Sequence, residues 1–410
     1  MTRSTDLIHH AYLPPAEFEA PQVGVFKAST VIFPNVAAMR TREWMDKSAY
    51  TYGLHGTPTT FTLEERLATL EGGTHCILTP SGLAAIAHVD FALLKTGDEV
   101  LIPDNAYAPN KSLAEGELAQ FGITHQVYNP MDVSDLAARI TPRTRLVWLE
   151  AAGSVTMEFP DLIAMVQLCK ARGVLCALDN TWGAGLAFNA FDLTPGQGAQ
   201  GQPSLGVDLT IHALTKYPSG GGDVLMGSIV TRSDDLARVL KLTHMRLGTG
   251  VGANDAEAVL RALPSLPLRY RAQDAAARQL ATWCAQQSEF VQVLHPAMTD
   301  APGHVHWQQL CVSTQAPEGL AAGIFSVVVD AHFSPRQVDA FCDALQLFKI
   351  GYSWGGPMSL VMPYKMASSR CFPPSYIHQG TLIRLCIGLE HVDDLAHDLA
   401  QALFALHQSP

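Results

Sequence analysis

The run "HCILTPSGLAAIAHVDFALLKTGDEVLIP", from His75 to Pro103, holds one complete structural unit. "HCILT" is short and apolar, which predicts a buried strand. Ser81 and Gly82 punctuate it, and "GLAAIAHVDFALLK" (82–95) then carries apolar residues at helical spacing. "DEVLIP" closes the unit as a second buried strand. The same rhythm continues downstream. "THQVYN", "TRLVWLE", "VLCALDN", "VDLTIHALTK" and "DVLMGSIV" read as strands, and "NKSLAEGELAQFG", "DVSDLAARI" and "PDLIAMVQLCKARG" as helices. Short apolar runs alternating with helices predict βαβ units and a mostly parallel sheet covered on both faces.

On either side the pattern changes. Residues 1–60 contain several prolines and few periodic runs, which predicts an extended arm that needs another surface to pack on. The large domain spans 61–255. From 256 to 410 a long helical connector, interrupted by Pro264 and Pro267, leads into a smaller domain. That domain is expected to hold strands "IFSVVVD" and "TLIRLCIGL" and helices "SPRQVDAFCDALQLF" and "HVDDLAHDLAQALFALHQ".

The totals bound the function. The 410-residue chain is 48% hydrophobic and 16% charged, with a net charge of −11 and no basic run. Nucleic acid and anionic membrane are therefore poor partners, and a small metabolite is a better one. The N-terminus lacks an apolar leader pattern and no run approaches membrane-spanning length. The eight cysteines form no C-x-x-C pair, which suits a reducing cytoplasm. Neither "GHVHW" (His304, His306) nor His9–His10 has the cysteine or carboxylate company of a zinc site, so no metal is expected.

In parallel sheets, ligands lie beyond the carboxyl ends of the strands. Three places there could carry chemistry. Ser81 and Gly82 open a helix, whose free N–H groups suit a phosphate, although Ser-Gly is also ordinary turn chemistry. Asp179 ends the apolar run "VLCALD", where a carboxylate needs a counter-charge or a cap. Lys216, in "IHALTKYPSGGGD", ends another. A lysine held at an apolar edge loses solvation and becomes a nucleophile and base, whereas alone it reads as a snorkelling surface residue. Together, a phosphate cradle, a carboxylate and a Schiff-base lysine on one sheet are what pyridoxal phosphate requires. "GTGVG" (248–252) does not follow a strand and fails as a dinucleotide fingerprint.

With these residues go "YGLHGTPTTFTLEERLATLEGG", "NAYAPN", "LEAAGSVTMEFPD", "LDNTWGAG", "HALTKY", "YSWGG" and "GTLIRLCIGLE", in order along essentially the whole chain. The series resembles the Cys/Met-metabolism family of pyridoxal-phosphate enzymes, and within it the bacterial β-lyase branch. The resemblance implies the aminotransferase-like fold type I, with a mostly parallel seven-stranded sheet. It implies pyridoxal 5'-phosphate as a Schiff base on Lys216, Asp179 against the pyridinium nitrogen, and Tyr107 stacked on the ring. Ser81, Gly82, Leu83 and Thr215 would hold the phosphate, with Tyr52 lent by a neighbouring subunit. Arg384 would bind the substrate α-carboxylate, and Ser353 and Trp354 would line the substrate side. The family also implies a homo-oligomer, a dimer of site-sharing subunits assembled into a tetramer.

Two positions depart from the family pattern. Leu54 stands where the arm usually carries an arginine that contacts phosphate, which weakens that grip unless His55 or another cation substitutes. In "EAAGS", Ala152 and Ser154 replace a Pro and an Asn usual in the γ-acting branches. Ser154 and Trp354 resemble the β-lyase branch, while "PMSL" lacks a usual Glu. The implied activity is cleavage of L-cystathionine to homocysteine, pyruvate and ammonia, by Lys216 acting at Cα with Tyr107 or Tyr52 aiding the leaving thiolate. Cysteine, cystine or S-alkylcysteines fit the same steps. The alternatives are a γ-acting relative (methionine γ-lyase or cystathionine γ-synthase), a cofactor-bearing regulator, and a structural protein without cofactor.

Overall fold

The structure, a computed structural model, describes residues 20–41, 43–195, 204–314, 316–365, 370–372 and 375–408. His9 and His10 lie outside them. Seven strands form the first sheet: β1 (His75–Thr79), β2 (Glu99–Pro103), β3 (Thr124–Tyr128), β4 (Thr144–Glu150), β5 (Leu175–Asp179), β6 (Leu209–Ala213) and β7 (Gly227–Thr231). Their spatial order is β1-β7-β6-β5-β4-β2-β3. β2 to β6 pair in parallel, and β7 is antiparallel to both of its neighbours. Strands β1 to β6 therefore all end at one edge. Chain order reverses between β2 and β4, which leaves a crevice at that edge.

Helices cover the sheet, so β2, β4 and β7 are almost wholly buried and must be apolar on both faces. Trp148, at the centre of β4, is 1% exposed. Its indole N–H donates to Asp90 Oδ1 at 3.0 Å, and its carbonyl accepts the Tyr128 hydroxyl at 2.8 Å. The helix Pro58–Glu71 starts in a capping box built by Thr57 and Thr60. At its other end, buried Glu71 accepts from Asn180 Nδ2 at 2.7 Å and pairs with His212 Nδ1 at 3.0 Å. This ties the helix to the ends of β5 and β6.

The second sheet has the order β10-β11-β12-β9-β8, from β8 (Phe290–Leu294), β9 (Ile324–Asp330), β10 (Lys349–Ile350), β11 (Leu360–Tyr364) and β12 (Gly380–Cys386). Apart from the parallel β10–β11 pair it is antiparallel. Ile324, Leu382 and Cys386 share one apolar cluster with Val147 and Leu178 of the first sheet. The connector is split as its prolines predict, into Ala253–Ala262 and Leu266–Cys284, with a 3-10 turn at Leu263–Ser265. All eight cysteines are free, and all but Cys371 are buried. Within residues 20–57 the chain forms one short helix, a 3-10 turn and a bridge between Thr30 and Tyr52. Phe26 is 52% and Ile32 91% exposed there.

Two expectations need correction. β6 does not run to Lys216 but stops at Ala213, because the Lys216 N–H turns back to the Ala213 carbonyl at 3.0 Å. β7 likewise begins at Gly227, so Asp223 to Met226 lie outside it. "GHVHW" belongs to a helix, His304–Cys311, and His304 Nδ1 is bonded to the Pro296 carbonyl at 2.9 Å.

Candidate active site

The carboxyl edge of the first sheet opens into a cavity of about 410 Å³, lined among others by Ser81, Gly82, Leu83, Tyr107, Asp179, Thr215, Lys216, Ser353 and Trp354. A second chamber of about 390 Å³ shares Tyr107, Ser154, Lys216, Tyr352 and Trp354 with it and also reaches Tyr364, Arg370 and Arg384. Residues more than 270 positions apart in sequence thus face one space. Tyr52 lies away from it on its own chain, 43% exposed, with its hydroxyl 3.3 Å from Ser29 Oγ.

Ser81 follows β1 and caps the helix Gly82–Leu93, accepting from the Ala84 N–H at 3.0 Å. The N–H groups of Gly82 and Leu83 precede the intrahelical ladder and are free for an anion. Gly82 cannot be larger, since a Cβ there would lie 2.6 Å from that of Ala213. Helix start and the β6–Lys216 turn are thereby packed together, with Thr215 on the same cavity.

Lys216 Nζ lies 3.2 Å from Ser353 Oγ and 4.6 Å from the Trp354 ring centroid. Burial, helped by the Arg384 charge, holds its ammonium below the ordinary lysine range, against opposing pulls from Cys386 and Asp179. Ser353 and Trp354 reach it because Gly355, at φ +79°, brings the loop against the Lys216 turn; a Cβ there would lie 2.7 Å from the Tyr217 nitrogen. The first glycine of "YSWGG" is therefore part of the site geometry.

Arg384, on β12, is 4% exposed. One guanidinium nitrogen donates to the Ser154 carbonyl at 3.0 Å, while Nε has no partner. Its Cζ sits 5.1 Å from the Trp354 ring centroid and 5.2 Å from that of Tyr364. A buried guanidinium with an unused donor beside a chamber suits a carboxylate.

Asp179 accepts the Thr181 N–H at 3.0 Å. Burial raises its pKa, and Thr181, His212 and Lys216 offset part of that. Beside it, the sequence reading assigned no role to Glu150, which the ladder sets directly opposite Asp179. Burial and the Asp179 charge push the Glu150 carboxyl up to about 8. In the sequence Glu150 ends "TRLVWLE" much as Asp179 ends its own apolar strand, but a lone Glu there reads equally as a solvated cap. Tyr352, Tyr364 and Arg370 were also passed over, since they sit in segments without periodic pattern.

These residues fit pyridoxal phosphate. The helix start at Gly82, Thr215, the half-buried carboxylate of Asp179 and the desolvated amine of Lys216 all line one cavity. Leu54, the departure from the arm pattern, points its side chain at Gly250, and its carbonyl accepts from His244 Nε2 at 3.0 Å. His55 is bonded to Thr51 Oγ1 at 2.8 Å and tilts onto Trp44.

Comparison with known proteins agrees with this architecture. The profile of the family described as "Cys/Met metabolism PLP-dependent enzyme" matches residues 4–404. A protein of Bordetella avium named cystathionine beta-lyase is 35% identical over 383 residues, covering 92% of this chain and 90% of its own. One of Wolbachia pipientis named L-alanine/L-glutamate racemase is 31% identical, covering 87% and 83%. The crystal structure of metB from Corynebacterium glutamicum superposes with a TM-score of 0.82 at 25% identity, covering 98% of each chain. The expected aminotransferase-like fold is the observed one.

Proposed function

Because the chain belongs to the Cys/Met-metabolism family of pyridoxal-phosphate-dependent enzymes, we propose that it is a carbon–sulfur β-lyase that cleaves L-cystathionine. One observation carries this reading: Lys216 and Arg384 lie against the same Trp354 indole, at 4.6 and 5.1 Å. An amino acid gripped by its carboxylate at Arg384 presents its Cα toward the Lys216 amine.

Pyridoxal phosphate, carried on a lysine, supplies an electron sink for the pair left when a Cα proton is removed. Lys216 is the base for that proton, its amine neutral at lower pH than an ordinary lysine. Asp179 would keep the ring nitrogen protonated, and Tyr107 would offer the stacking face. Ser81, Gly82 and Leu83 with Thr215 hold the phosphate, aided by Tyr52 of a second copy. Arg384 binds the α-carboxylate, and Ser353 and Trp354 keep the reacting carbon close to the amine. When the Cβ–S bond breaks, Lys216, Tyr107 or Tyr52 returns a proton to the departing sulfur. Homocysteine leaves, and water completes the conversion of the remainder to pyruvate and ammonia.

Cysteine, cystine and S-alkylcysteines suit the same groups. Proton removal at Cα is shared by lyases and racemases, so the fate of the carbon–sulfur bond is the discriminating event. L-cystathionine should yield pyruvate in step with homocysteine; 2-oxobutyrate as the main keto acid would overturn the proposal in favour of a γ-acting enzyme.

The arm to about residue 60, the layer around the first sheet to about 255 and the remainder are proposed as three working parts. The exposed apolar side chains of the arm, Phe26 and Ile32 among them, support docking on a neighbouring copy, in a dimer that assembles further into a tetramer. Buried free thiols support a reducing, cytoplasmic setting. No helix among the described residues is long and apolar enough to cross a membrane.

A further inference from the structure

Glu150 uses its two carboxyl oxygens in different directions. Oε2 accepts the Tyr107 N–H at 2.8 Å. Oε1 is hydrogen-bonded to the Ser154 hydroxyl. Ser154 in turn gives its carbonyl to Arg384 at 3.0 Å. Asn105 braces the same corner, donating from Nδ2 to the Glu150 carbonyl and accepting the Ser154 N–H, each at 3.4 Å.

We infer that Glu150 is a positioning residue that holds the Tyr107 ring and the Arg384 guanidinium in one register, one carboxyl oxygen serving each side. The inference rests on the proposed reading of Tyr107 as the stacking face and Arg384 as the carboxylate grip. Tyr107 needs such an anchor, because it opens the short helix Ala108–Leu113 with no side-chain cap of its own and is 39% exposed. Ser154 needs one as well, because it lies in the turn that follows β4 rather than in a strand. A buried carboxyl with both oxygens engaged is confined to one rotamer, and its partners inherit that rigidity.

Glu150 and Asp179 stand opposite each other at neighbouring strand ends, where two negative charges would repel. Burial raises both carboxyls, and the Asp179 charge raises Glu150 further, so the pair favours keeping one proton. A neutral carboxyl has the shape and polarity of a carboxamide. Glutamine should therefore replace it, and alanine should not.

The test uses the holoenzyme and four variants: Glu150→Ala, Glu150→Gln, Ser154→Ala and, as reference, Arg384→Lys. Cofactor release after dilution is followed by the visible absorbance band, KM and kcat are measured with L-cystathionine, and thermal midpoints are recorded. Glu150→Ala should release cofactor about tenfold faster and raise KM about tenfold, with kcat less affected. Glu150→Gln should stay within about threefold of the parent on both measures. Ser154→Ala should raise KM by about fivefold and leave cofactor release unchanged. A Glu150→Ala protein equal to the parent, a Ser154→Ala protein with unchanged KM, or a Glu150→Gln protein as impaired as Glu150→Ala would each overturn the inference. If Glu150→Ala does not fold, the other two variants decide it. An unchanged KM in Arg384→Lys would instead bring down the reading of Arg384 itself.

Discussion

The Lys216 ammonium lies over the face of the Trp354 indole, 4.6 Å from its centroid. The negative face of an indole compensates part of the solvation that the amine has lost, and fixes where the amine points. Arg384 leans on the same ring, so removing the indole should disturb base and carboxylate grip together. Trp354→Leu is expected to raise KM for L-cystathionine about tenfold or more. Its kcat should fall as well, and a variant with parental kinetics would refute this role for the ring.

Lys216→Ala should abolish the visible band of the bound cofactor and lower turnover by at least about a thousandfold. Absorbance spectra and pyruvate release measure the two losses. Methylamine supplied in solution should restore part of the rate; a variant that keeps both band and rate would place the base elsewhere.

The depressed Lys216 pKa has a definite sign. Burial and Arg384 disfavour the charged amine, so it becomes neutral below the lysine value of about 10.4. Capture of pyridoxal phosphate by the stripped protein needs the neutral amine. Its rate should therefore climb with pH and level off below that value. Arg384→Gln removes the neighbouring positive charge and should move the plateau upward in pH, which stopped-flow absorbance would detect.

Asp90 offers a test of stability away from the site. It is fully buried, one oxygen accepts the Trp148 N–H, and the other has no partner. Burial pushes its pKa up to about 7. Between about pH 4 and about 7 the folded protein keeps a proton that the unfolded chain has lost. That contribution is complete at the acid end and disappears as pH rises through the window. Asp90→Asn cannot titrate and should flatten this slope by an amount on the order of a few kcal/mol. Urea unfolding of both proteins at pH 5 and pH 8 gives the comparison, and parallel slopes would show that Asp90 is not the group responsible.

The arm is tested by mixing. If Tyr52 acts on the site of a second copy, Tyr52→Ala and Lys216→Ala subunits, each nearly inactive, should recover activity when unfolded and refolded together. Random pairing leaves roughly a quarter of the sites intact. Recovery confined to background would mean that Tyr52 serves no neighbouring site.

Much of this was legible in the sequence because the chemistry sits at strand ends. Ser81, Asp179 and Lys216 each terminate an apolar run, and period and punctuation locate such ends well. The boundary at Lys216 was read too long because Ile211, Ala213 and Thr215 continue the alternation, whereas the backbone has already turned at Ala213. β8, β10 and β11 left no usable signal, being short and flanked by irregular chain. Glu150 escaped for another reason. A single Glu after an apolar run resembles a solvated cap, and only the pairing of β4 with β5 sets it against Asp179. Trp354 could be placed by resemblance but not by pattern, since its loop reaches Lys216 through the turn at Gly355.

The two sheets make unequal contributions to the site. Lys216 and Asp179 hang from the first, while Ser353, Trp354 and Arg384 come from the second sheet and its loops. The consequence is evolutionary. Replacements in the second half can change which amino acid is admitted while the proton-handling half passes on unaltered, so new substrate preferences can arise by drift of a wall. The first half has less freedom, because residues at or just beyond the ends of β1, β4, β5 and β6 all line the same cavity.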